Sequence, residues 1–79
     1  MSKAESAIRA LLCERGHGKT ICPSEAAREM AGPDGDWRAR MSDVHEATAR
    51  LCDAGAIRLS WKGKSKTAPD GPYRIGLPR

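Results

Sequence analysis

The hydrophobic period of this chain changes once, at Gly55, and few folds accommodate that change. Upstream, apolar residues recur every three or four positions, as on one face of a helix. Downstream they alternate. Ile57, Leu59 and Trp61 alternate with Arg58, Ser60 and Lys62, then Tyr73, Ile75 and Leu77 with Arg74 and Gly76. A period of two marks a strand with one buried face. Helices come first and strands after, which predicts an α+β chain.

Three helices are expected upstream. Ser2 and Glu5 stand at the spacing of a capping box, and Ala4, Ala7, Ile8, Leu11 and Leu12 form an apolar stripe ended by Gly16 and Gly18. Arg15 falls in the last turn, where positive charge suits the helix dipole. Residues 19–22 read as a short extended piece. Pro23 then opens a two-turn helix through Met30, because proline fits the first helical position, and Gly32-Pro33 stops it. The third helix is the longest. Asp36 is its expected N-cap, and Trp37, Met41, Val44, Thr48 and Leu51 are its core stripe. Ala39, Ser42, Glu46, Ala49 and Asp53 make the opposite face.

Gly63–Pro72 is polar and rich in turn residues, so it reads as a loop between the two strands. A lone two-stranded hairpin is barely stable. The strands must therefore pack on the helices, with the Ile21 segment available as a third. This order is the plan of a winged helix-turn-helix: three helices and a two- or three-stranded antiparallel sheet. A chain of 79 residues suffices for one domain, expected over residues 1–79. The helix-turn-helix would span residues 23–54 and the wing residues 56–77.

Charge is unevenly distributed. Residues 1–57 carry eight Lys/Arg against nine Asp/Glu, whereas residues 58–79 carry six against one, Asp70. The basic excess thus lies in the wing, where it favours phosphates or another anionic surface. No apolar run approaches the ~20 residues that cross a bilayer, and the first residues lack a signal peptide's apolar stretch. Three cysteines, Cys13, Cys22 and Cys52, cannot all pair within one chain, so a reducing cytoplasm is expected. Cys13, His17, Cys22 and Cys52 match a zinc set in type. Their spacing contains no close cysteine pair, however, and buried free thiols are expected instead of a metal or cofactor site.

The blocks ICPSEAAR (Ile21 to Arg28), Trp37-Arg38 with Met41, Val44, Ala47 and Leu51, Gly55-Ala56-Ile57, Lys62-Gly63 and Gly71-Pro72-Tyr73-Arg74-Ile75 resemble an uncharacterised bacterial domain family of unknown function. The resemblance covers most of residues 8–77 and implies a winged-helix fold. His45 departs from it, standing where arginine is expected of the family. A phosphate contact made by such an arginine would be weakened here.

A recognition helix enters the major groove through its exposed N-terminal half. The candidates there are Arg38, Ser42 and His45, arginine being the commonest reader of guanine edges. Lys62, Lys64 and Lys66 of the wing are the candidate phosphate contacts. Against this, the third helix balances Arg38, Arg40 and Arg50 with Asp43, Glu46 and Asp53. Glu46 would repel phosphate unless it accepts from a cytosine amine or pairs with Arg50, four residues on. Arg38 is open to two readings, a nucleic-acid contact or an ion pair with Asp34, Asp36 or a glutamate of the second helix. Trp37 is expected in the core; Trp61, next to Lys62 at the base of the wing, could stack on a base or a sugar, but its place in the strand alternation favours core packing. Cys22 opens a helix, but no oriented base accompanies it, so it is read as a cap or packing residue and no enzyme activity is expected. Two functions follow: a nucleic-acid-binding domain for duplex DNA, such as a transcriptional regulator, or a module that meets a protein partner through the third helix. RNA fits less well, because base-stacking aromatics are few.

Overall fold

The computed structural model describes residues 2–78. Met1 and Arg79, the latter one of the C-terminal basic residues, lie outside it. The chain is α+β: three helices and a four-stranded antiparallel sheet, one strand more than the two or three expected allow.

Helix α1 (Lys3–Arg15) starts at Ser2, whose hydroxyl accepts from the Glu5 N–H at 3.1 Å. Only half of the capping box forms, because the Glu5 carboxylate turns to Arg50. Strand β1 (Thr20–Ile21) leads into α2 (Pro23–Ala31), where the Glu25 carboxylate accepts from the Cys22 N–H at 3.3 Å. The third helix departs from expectation at its start. Trp37–Arg40 form a 3₁₀ turn, and α3 proper is Met41–Asp53. Asp36 precedes that turn but makes no side-chain cap bond. Helix α1 packs on both α2 and α3, and α2 packs on α3.

Strands β2 (Arg58–Trp61), β3 (Lys64–Lys66) and β4 (Arg74–Gly76) complete a sheet of order β1-β4-β2-β3. Leu59 faces Lys66 on one side and Ile75 on the other, and Ile21 faces Ile75 across the β1–β4 pair. The extra strand is β3, inside the segment expected to be loop. Trp61 pairs with Lys64, so Lys62-Gly63 is a two-residue turn. Both of its residues have positive φ, 53° and 81°, the conformation of the type I′ turn that matches strand twist.

Ile8, Leu12, Ile21, Val44, Leu59 and Ile75 are fully buried between helices and sheet. Each such side chain stabilises the fold by about 1.5–3 kcal/mol relative to exposure. Thr48 is the buried polar residue, and its hydroxyl donates to the Val44 carbonyl at 2.7 Å. Trp37 and Met41 are half-buried against this core. Trp61 departs from its expected place: it is 38% exposed. The alternation puts it on the same face of the sheet as the buried Leu59, yet it opens toward solvent. Cys13, expected to be buried, is exposed, and Cys22 and Cys52 are half-buried; all three are free thiols. No helix among the described residues is long and apolar enough to cross a membrane.

Candidate nucleic-acid interface

The exposed side of α3 and the tip of the β2–β3 hairpin border one groove of about 300 Å³. Met41 and His45, one helical turn apart, form its α3 wall. Trp61, Pro72 and Tyr73 form the sheet wall, and the start of α2 at Cys22, Pro23 and Ser24 closes one end. Among the described residues that line it, none carries a carboxylate.

His45 is exposed, yet one edge of its ring is held. Its Nδ1 lies 2.6 Å from the Tyr73 hydroxyl, and the two rings meet edge to face with centroids 5.6 Å apart. Burial pushes the Tyr73 phenol above its ordinary pKa of 10.0, hydrogen bonding to Thr48 acts in the opposite direction, and the nearby Cys22 adds to the rise. The phenol is therefore protonated at neutral pH. When it donates to Nδ1, the imidazole's hydrogen resides on Nε2. His45 thus joins α3 to the strand that follows the wing loop, besides facing the groove.

Ser42 is exposed, one turn before His45. Arg38 lies in the 3₁₀ turn, and its guanidinium stacks over the Trp37 ring at 4.6 Å from the centroid. Arg28 of α2 stacks on the same ring at 4.6 Å. Arg38 forms none of the ion pairs expected for it; those among the described residues join Arg15 to Glu25, Arg50 to Glu5 and Lys66 to Asp70. A stacked guanidinium is held by its face and keeps its edge N–H groups for another acceptor. Of the two alternatives open to Glu46, pairing with Arg50 does not occur, because Arg50 pairs with Glu5 at 2.9 Å. Arg50 reaches α1 instead, and Glu46 is exposed on α3.

The three lysines of the β2–β3 hairpin, Lys62, Lys64 and Lys66, separate into two kinds. Lys62, at the turn, and Lys64, on β3, are exposed. Lys66 is turned back into the loop: its ammonium donates to the Asp70 and Pro72 carbonyls and faces the Asp70 carboxylate at 3.5 Å. It fastens the segment that returns the chain to β4. Arg74 is similarly engaged, donating to the Thr20 hydroxyl at 2.7 Å and the Thr20 carbonyl at 3.2 Å. The exposed basic groups at the hairpin turn are therefore Lys62 and Lys64, with Arg38 and Arg40 exposed at the start of the third helix. Sequence reasoning missed the stacking of Arg28 and Arg38 on Trp37. It also missed the groove itself, for which the exposed end of the Trp61 alternation was the sole signal.

The match that decides the family spans residues 1–78 and is to proteins of unknown function, DUF3253. The chain belongs to DUF3253. No curated protein matches it. In this DUF3253 chain the Trp37-Arg38 pair is a stacked unit, and Gly71, Pro72 and Tyr73 help to line the groove beside α3.

Proposed function

We propose that this chain is a winged-helix domain that binds duplex DNA, with α3 as the recognition helix and the β2–β3 hairpin as the wing. The observation that carries the reading is the shared groove. His45 of α3 and Trp61 of the hairpin border one cleft with no carboxylate among its described lining residues, and Lys62 and Lys64 stand exposed next to Trp61. Lysines at the hairpin grip phosphates and fix the register, while Arg38, Ser42 and His45 face base edges. The three free thiols fit a reducing, cytoplasmic compartment.

A second reading is favoured by a specific observation. Glu46 is exposed and Arg50, the residue expected to neutralise it, is bound to Glu5. A helix of mixed charge suits a protein partner better than it suits phosphate, and folds of this kind serve both uses.

The test is a titration of the purified domain with random-sequence duplex DNA at several salt concentrations. Lys66 and Arg74 are engaged inside the fold, which leaves three or four cations for phosphate. The expected log–log slope against salt is therefore about −3, at about −0.9 per contact. A preferred sequence recovered afterwards would assign a role in transcriptional regulation. Absence of binding at low salt would remove the DNA reading and direct attention to a protein partner of α3.

A further inference from the structure

We infer that the groove between α3 and the hairpin holds a single unpaired nucleobase, so that the domain favours DNA in which one base has left the stack. The inference rests on the DNA reading above and specifies the form of DNA that this site takes.

Three observations carry it. Trp61 is 38% exposed, although its strand alternation directs it toward the core. It lines a groove whose other walls are Met41, Pro72 and the edge-to-face pair of His45 and Tyr73. Trp61 and His45 offer the exposed flat surfaces, Tyr73 itself being buried, and stacking is tolerant of base identity because every base has a π-face. The charge around the groove selects the occupant. Among the described residues no carboxylate lines it; Lys62 follows Trp61 at the turn and Lys64 is its cross-strand partner on β3, both exposed. An apolar slot beside two free ammonium groups suits a base joined to its own flanking phosphates. An acidic residue on the wall would be expected were the occupant a basic peptide.

A base within a paired helix cannot reach such a slot without losing its neighbours, at a cost of a few kcal/mol. A bulged base has met most of that cost already, which is the source of the preference.

The experiment compares two fluorescein-labelled probes by anisotropy at fixed salt: a fully paired duplex with GC-rich ends, and the same duplex carrying one bulged adenine. The intact domain should bind the bulged probe about tenfold more tightly, the size of one base–aromatic stack. Trp61→Ala should abolish that preference, so that the two probes bind this variant equally, and Trp61→Phe should keep most of it. Thermal melts check that both variants fold. Equal, salt-sensitive affinity for the two probes would overturn the base slot and leave the DNA interface standing. A preference that survives Trp61→Ala would also overturn it. Failure to bind either probe would remove the slot and the DNA reading together.

Discussion

Lys64 and Lys66 stand on one short strand and do different work. Lys64 is exposed, whereas Lys66 spends its ammonium on the carbonyls of the returning loop. Lys66→Ala should therefore lower stability by about 1 kcal/mol, the usual size of a lost hydrogen-bonded contact, as read from a urea melt. Lys62→Ala and Lys64→Ala should leave the melt unchanged, and each should reduce the salt slope of DNA binding by about 0.9. A triple alanine variant mixes the two effects, so the single variants are the informative ones. Tyr73 gives a second prediction at this scale. Its phenol has a higher pKa folded than unfolded, so its contribution to stability is complete below pH 10.0 and fades as pH rises through the folded value. Tyr73→Phe removes a titrating group as well as the His45 bond. Urea midpoints measured as pH rises above 10 should fall more steeply for the native chain than for this variant.

At the scale of elements, the hairpin turn explains what the sequence concealed. The alternation Ile57–Leu59–Trp61 announced β2, and Tyr73–Ile75 announced β4. Strand β3 is Lys-Ser-Lys, with no apolar residue to mark a buried face, so periodicity had nothing to detect. The turn was equally quiet. Type I′ turns advertise themselves as Asn-Gly or Asp-Gly, and here lysine occupies the first position with φ 53°. Lys62→Asn should thus raise the melting temperature while weakening DNA binding, an opposition of stability and affinity visible in one variant. Gly63→Ala, at φ 81°, should cost about 1–2 kcal/mol by urea melt. A different glycine guards the start of the third helix. A Cβ on Gly35 would overlap the Ala31 carbonyl, which is backbone and cannot swing aside. Gly35→Ala should cost about 2–3 kcal/mol and displace the 3₁₀ turn that presents Trp37 and Arg38, with tryptophan fluorescence reporting the shift.

On the scale of the whole molecule, the helix order, the core stripes and the change of period at Gly55 were all legible, because each arises from neighbours close in sequence. The places where reading failed depend on distant partners. Arg50 chooses Glu5 on α1 over Glu46 on its own helix, and Arg28 crosses to the Trp37 ring. Trp61 is exposed where Leu59, two residues earlier on the same face, is buried, a difference set by which distant elements cover each one. Of the candidate site, the basic wing and the α3 positions could be named from the sequence, but the groove that joins them could not. The sheet has one further consequence. Unpaired strand edges are templates on which a second copy can grow. Here one edge is β3, with Lys64 exposed along it, and the other is the two-residue β1, whose Thr20 carbonyl is already claimed by Arg15 and Arg74. One edge repels its own kind and the other is too short and too occupied to recruit it. The charges proposed to meet DNA thus also keep the free protein from polymerising through its own sheet.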